Sequence, residues 1–165
     1  MQSKIRKYSH THFDNKVQSR FLERKNQLDI VVYSMVRISN PYLAKEIYYR
    51  LEGGEDDFGD LATKYSEGVE NRTRGIVGPV PLGQAHPKLI EQLKTIEPGK
   101  VQSPINIGNS YIVIRLESYE PATLDKFMRF KMEDELFDQS IEDQVEDLIL
   151  SLLNNEDNAP INGDL

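Results

Sequence analysis

The sequence predicts an α+β fold. Two runs, 29-DIVVYSMVRI-38 and 111-YIVIRLESY-119, are dominated by β-branched and aromatic residues, the composition of buried strands. Between and around them, apolar residues recur at helical spacing. Caps and breakers mark where the helices start and stop.

The elements follow in chain order. Residues 1–10 are basic and are expected to be frayed. Residues 11–28 carry Phe13, Val17, Phe21 or Leu22, and Leu28 at roughly helical spacing, which predicts a short amphipathic helix. The strand at 29–38 comes next. Asn40 then caps a helix with Pro41 at its first position, and Gly53-Gly54 ends it. Leu43, Ile47 and Leu51 line one face of that helix, with Ala44 and Tyr48 beside them. A second short helix, 57-DFGDLATKYS-66, presents Phe58, Leu61, Ala62 and Tyr65.

The stretch 72-RTRGIVGPVPLGQAHP-87 reads as a turn-rich loop, the kind of segment that wraps a binding site. Pro87 opens a third helix with Leu89, Ile90, Leu93 and Ile96 inward, and 97-EPGK-100 is a turn. Val101 leads to Pro104-Ile105, and Asn109-Ser110 separates that segment from the strand at 111–119. Thr123 is expected to cap a long helix reaching about Asn154. Its stripe is Leu124, Phe127, Met128, Leu136, Phe137, Ile141, Val145, Leu148 and Leu152. Such a helix is roughly 45 Å long, more than a small domain can cover. The polar tail 155–165 is expected to be disordered.

The domain organisation expected is therefore a basic helical segment at 1–28, a central domain at 29–121, a long acidic helix at 122–154 and a tail at 155–165. The terminal helices carry opposite charge. Lys4, Arg6, Lys7, Lys16, Arg20, Arg24 and Lys25 lie on the first, and a run from Glu133 to Asp147 is strongly acidic on the last. They are either two solvated faces or a packed pair with complementary charge along the seam. Exposed pairs contribute only ~0.2–1 kcal/mol each, so apolar burial would have to carry a packed seam.

Composition removes several function classes. The net charge of −7 argues against general nucleic-acid binding, which needs clustered Lys and Arg. The chain has no cysteine, so disulfides, thiolate nucleophiles and cysteine metal sites are all excluded. No apolar run approaches the roughly 18 residues of a membrane span, so membrane insertion is not expected. The basic, polar start shows no signal peptide; with the missing cysteines, this slightly favours a cytoplasmic location.

The order strand, helix, short helix, glycine loop, helix, turn and two strands, with the segments 49-YRLEGGEDDFGDLATKYSEG-68, 74-RGIVGPVPLGQAHPKLIEQL-93, 97-EPGKVQSPI-105 and 110-SYIVIRLESYEP-121, resembles the parvulin-type peptidyl-prolyl isomerase (rotamase) domain. The resemblance covers about residues 29–121. It implies a four-stranded antiparallel sheet surrounded by helices. The terminal helices look like those that flank rotamase domains in folding factors.

The family is similar in using two strand histidines, a Cys or Asp beside them, and a Met/Phe wall for the proline ring. Carried onto this chain, the histidine positions fall on Met35 and Ile112, and the Cys/Asp position on Gly68. The Met wall falls on Ala85, the Phe on Leu89 and a hydroxyl position on Ile107. The loop's Asp falls on Ile76, while Gly75 and Gly78 are kept. The polar centre is thus replaced by apolar residues. Replacing both partners of a buried polar pair costs little, whereas replacing one leaves the other unsatisfied.

Met35, Gly68, Ala85, Leu89, Ile107 and Ile112 are the expected peptide-binding set, the alternative being that they are core. No catalytic residue, metal site or cofactor is expected. His86 lies in the loop without a polar orienting partner, and His10 and His12 form no metal-spaced set. The link 37-RISNP-41 has one Arg, so recognition of phosphorylated Ser/Thr-Pro is not expected. The resemblance implies polypeptide clients, with proline-containing ones included, and weak or lost isomerase activity. The alternative is a non-catalytic chaperone or adaptor that docks a specific partner through the groove and the acidic helix.

Overall fold

The computed structural model describes the backbone of residues 2–156 and the side chains of residues 12–153. It falls into two compact units. One comprises residues 24–122; the other joins the part of the first helix up to Glu23 with the segment from Thr123 onward. Among the described residues, no helix is long and apolar enough to cross a membrane.

The elements are α1 (Gln2–Leu28), β1 (Ile30–Ile38), α2 (Pro41–Glu52), α3 (Phe58–Tyr65), β2 (Ile76–Pro81), α4 (Pro87–Leu93), β3 (Val101–Ile107), β4 (Ser110–Glu120) and α5 (Lys126–Glu156). Short 3-10 turns at Val69–Thr73 and Leu82–Gln84 flank β2. The four strands form one antiparallel sheet in the order β2-β1-β4-β3. The sheet and its surrounding helices make the α+β architecture that the sequence predicts.

The alternation of β1 and β4 divides the central unit into two cores. Val31, Tyr33 and Met35 of β1 join Ile112, Ile114 and Leu116 of β4 on one face, covered by Leu82, Leu89 and Leu93. Val36, Ile38 and Val113 take the other face, covered by Ala44, Ile47 and Leu51 of α2 and Phe58, Leu61 and Ala62 of α3. The period of two therefore selects the helix that each side chain meets.

The capping chemistry behaves as its residue types require. Asn40 Oδ1 accepts from the backbone N of Tyr42 at 2.9 Å and of Leu43 at 3.3 Å, with Pro41 at the first helical position. Asp57 caps α3 by accepting from Asp60 N at 3.1 Å. Asp29, buried where α1 hands over to β1, accepts from Tyr119 Oη and from Ala122 N, and its carbonyl accepts from Leu82 N at 2.7 Å. One residue thus fastens the end of β4 and the turn after β2 to the start of β1.

Three elements differ from the sequence expectation. The fourth strand, β2, lies inside the stretch read as a loop. Pro79 and Pro81 can occupy it because β2 is an edge strand, where a missing N–H breaks no inner ladder. Helix α1 begins at Gln2, so the segment read as frayed is helical; with no Gly or Pro before Pro41, nothing interrupts it. Helix α5 begins at Lys126, because Asp125 rather than Thr123 supplies the cap: its Oδ1 accepts from Met128 N at 2.7 Å. It continues through Glu156, and residues 157–165 of the expected tail lie outside the described residues.

In the second unit, Phe13, Val17 and Phe21 of α1 are buried, as is Met132 of α5. Phe13 and Leu136 line a common hollow. Arg20 Nε stands 3.5 Å from Glu135 Oε2, and Arg129 Nη1 stands 3.6 Å from Asp14 Oδ1. The two helices pack with charge pairs on the seam. The apolar stripe of α5 is covered around Met132, whereas Phe127, Ile141, Val145, Leu148 and Leu152 are all exposed.

Candidate functional site

Strand β1 sends Tyr33, Met35 and Arg37 to one face of the sheet. Register places Arg37 opposite Ile112 and Met35 opposite Ile114 on β4. On the other side of β4, Ile105 of β3 faces Ile112, and Ile107 faces Ser110. Helix α4 closes the hollow above this face. Its first turn is fixed by Pro87 and by His86, whose Nδ1 accepts from Lys88 N at 3.3 Å.

The result is a concavity of about 220 Å³ lined by Met35, Arg37, His86, Leu89, Ile107, Ser110 and Ile112. Its floor is apolar and buried: Met35, Leu89 and Ile112 are each less than a tenth exposed. Arg37, His86 and Ser110 form a polar rim. The volume lies below the range of roughly 300–1,000 Å³ typical of drug-sized ligand pockets. It suits one side chain or ring of a longer molecule.

Four of the six expected residues, Met35, Leu89, Ile107 and Ile112, meet in this concavity. Ala85 does not line it; it packs against the core of the same sheet face. Gly68 does not line it either. A Cβ built on Gly68 would lie 2.5 Å from Glu70 Cδ and closer still to both carboxylate oxygens. The glycine is needed because Glu70 fills its side-chain space.

The Glu70 side chain is only 4% exposed. Ser66 Oγ donates to Glu70 Oε1 at 2.6 Å, and Arg37 Nε stands 3.8 Å from the same oxygen. Ser66 Oγ also accepts from Arg37 N at 2.9 Å, and Glu67 N donates to Arg37 O at 2.9 Å. Segment 66–70 is therefore stitched to the end of β1 by the backbone of Arg37 itself. Burial holds the Tyr33 hydroxyl above its ordinary range, the nearby Glu70 carboxylate adds to this, and Arg37 opposes it.

Gly75 closes the arrangement. Its φ is +83°, and a Cβ there would lie 2.9 Å from Met35 O and 2.7 Å from Ala62 Cβ. Only glycine lets its carbonyl accept from Met35 N at 2.8 Å, which pins the loop to the strand beside the groove.

Arg37, Ser110 and the buried Glu70 were not among the expected site residues. Arg37 carries a readable signal, since it stands two residues after Met35 in a strand and so must share its face. Glu70 carries none, because its position depends on the 3-10 turn after Gly68. Among the described residues, no group of three or more His, Cys, Asp or Glu side chains could hold a metal ion.

Residues 41–118 match the family model for Rotamase, the PPIC-type PPIASE domain. A curated relative, the foldase protein PrsA of Caldanaerobacter subterraneus subsp. tengcongensis, is 25% identical over 116 residues. The match takes in 68% of this chain and 37% of the relative, so the chain spans little more than a third of that protein's length. Among solved structures, the peptidylprolyl isomerase PrsA of Bacillus anthracis aligns with a TM-score of 0.59 at 20% identity, over 96% of this chain and 71% of that one. A SurA-like chaperone of Campylobacter jejuni aligns with a TM-score of 0.54 at 17% identity, over 95% and 68%. At these identities, the structural likenesses establish the fold.

Proposed function

The chain carries a parvulin-type (PPIC-type) rotamase domain, and from that premise we propose that its groove binds proline-containing or unfolded polypeptide with weak or lost isomerase activity. The observation that carries the reading is the meeting of Met35, Leu89, Ile107 and Ile112 in one concavity of about 220 Å³. A buried, apolar floor of that size takes a proline ring or a single aliphatic side chain from an extended segment. The foldase and chaperone identities of the relatives support polypeptide clients.

The groove offers little to a catalytic cycle. Rotation about an amide must cross roughly 18–20 kcal/mol, and catalysis requires groups that favour the twisted state over the planar one. The imidazole at the rim, His86, already spends Nδ1 on capping α4. Desolvation of the amide by the apolar floor remains, and it weakens the charge-separated resonance form. That supports slow turnover at most. Phosphorylated clients are not favoured, because the link between β1 and α2 is only Ser39-Asn40 and the adjacent Arg37 is already balanced by Glu70.

Exchange NMR on several Xaa-Pro peptides tests the reading. Little or no acceleration of cis-trans exchange is expected at high micromolar protein, together with measurable binding. Acceleration as strong as that of an efficient isomerase would contradict the loss of activity. Absence of any binding would contradict the groove.

The exposed second half of α5 favours a further role as a chaperone or adaptor surface. Ile141, Val145, Leu148 and Leu152 repeat at alternating four- and three-residue steps and are each 44% exposed or more, amid Glu142, Asp143, Glu146 and Asp147. Such a face would hold apolar segments with basic flanks. Loss of holdase activity on replacing Val145 and Leu148 by Ser would support it.

A further inference from the structure

We propose that Arg37 is the polar anchor of the groove. Its guanidinium, held beside the buried Glu70, donates to a backbone carbonyl of a bound peptide whose apolar side chain fills the floor. The inference rests on the peptide-groove reading above and names the segment that the groove selects: an extended, uncharged one rather than an acidic one.

The placement comes first. Arg37 shares the groove face with Met35 and stands directly across from Ile112. Its backbone is fixed on both sides, its N–H donating to Ser66 Oγ and its carbonyl accepting from Glu67 N. The side chain therefore leaves a rigid point; it lines the concavity and is 47% exposed.

The donors come second. Glu70 Oε1 takes its hydrogen bond from Ser66 Oγ at 2.6 Å, whereas Arg37 Nε lies 3.8 Å away, beyond hydrogen-bond length. The ion pair steadies the guanidinium without consuming its N–H groups. Among the described residues, those groups donate no hydrogen bond. A guanidinium has five donors in a planar fork, and here they border an apolar floor with no donor of its own.

Charge decides what they receive. A carboxylate buried to 4% exposure keeps the pair close to neutral. An incoming carboxylate would be attracted by Arg37 and repelled by Glu70 at similar range. A peptide carbonyl gains the hydrogen bond without that repulsion. Ser110, two residues along β4 from Ile112, adds a neutral hydroxyl for an extended backbone.

The test compares affinities measured by NMR titration of the full chain. The probes are a capped Ala-Ala-Leu-Pro-Ala peptide and the same peptide with Asp in place of Leu. Replacing Arg37 alone would leave Glu70 buried without its cation, so Glu70→Gln serves as the reference; the amide still accepts from Ser66. The double variant Arg37→Met/Glu70→Gln removes the donor while keeping the stem and neutrality. We expect the double variant to bind the Leu peptide about tenfold more weakly than Glu70→Gln, the size of a lost charged hydrogen bond. We also expect the wild type to prefer the Leu peptide to the Asp peptide. Equal binding by the double variant and Glu70→Gln would make Arg37 only the counter-ion of Glu70, leaving the groove reading intact. Tighter binding of the Asp peptide by the wild type would make Arg37 an anion reader and overturn the selectivity. If the wild type bound neither peptide, the groove reading would fail and this inference with it.

Discussion

Glu70 places its carboxylate in the space that any side chain on Gly68 would need, 2.5 Å from the position of a Cβ to Glu70 Cδ. The resemblance puts a Cys or Asp at position 68. An acidic group does occupy that corner, but it comes from two residues downstream and is balanced by Arg37. The two arrangements exclude each other sterically.

Gly68→Ala should therefore destabilise the protein by overpacking, at about 1–3 kcal/mol. In a Glu70→Ala background, the same change should cost much less. Urea denaturation of the four proteins checks this as a double-mutant cycle. Equal costs in both backgrounds would mean that Glu70 is not the obstruction.

Tyr119 gives a pH signature. Burial first, and then its hydrogen bond to Asp29, push the hydroxyl up to about 12 from an ordinary 10. The folded state thus holds this proton more tightly than the unfolded state. Its contribution is complete below pH 10 and is lost as pH rises from 10 towards 12. Tyr33 shifts in the same direction. Tyr119→Phe should lower stability near neutrality and flatten, without abolishing, the decline above pH 10. Denaturation midpoints at pH 9, 10 and 11 read both effects.

Asn40 makes two side-chain contacts to the first turn of α2, the helix that covers the face opposite the groove. Asn40→Ala should cost about 1 kcal/mol, and Asn40→Asp should restore most of it. Hydrogen exchange at Tyr42 and Leu43 should accelerate in the alanine variant. Unchanged protection would contradict the cap.

Ile107 is a half-buried part of the floor, at the end of β3. Ile107→Lys should leave the fold intact, because the new stem can carry its charge to solvent. It should weaken peptide binding about tenfold or more by placing an ammonium on the apolar floor. A thermal melt beside a binding titration separates the two effects.

Much of this architecture is legible in the sequence, and the exceptions have particular causes. The strands β1 and β4 are readable because both are central and rich in β-branched residues. Strand β2 is not, because Gly78, Pro79 and Pro81 are turn residues everywhere except at a sheet edge. The expected stripe of α5 omits the buried Met132, although the spacing of four residues from both Met128 and Leu136 makes it readable. The apolar floor of the groove follows from Met35, Leu89, Ile107 and Ile112. Arg37 on the rim follows from its place two residues after Met35, but its buried partner Glu70 does not, because that residue arrives through a turn whose course no periodicity describes. The ion pair of Arg37 and Glu70 beside Gly68 is therefore visible only in the structure.

The central claim is that the hollow between β1, β4, β3 and α4 grips a polypeptide. Amide chemical shifts followed during titration with a capped Xaa-Pro peptide test it most directly. The amides of Met35, Leu89, Ile107 and Ile112 should move together and saturate with one dissociation constant. If those four stay fixed at millimolar peptide, or only amides of α5 respond, the groove is not the binding site and the account is wrong.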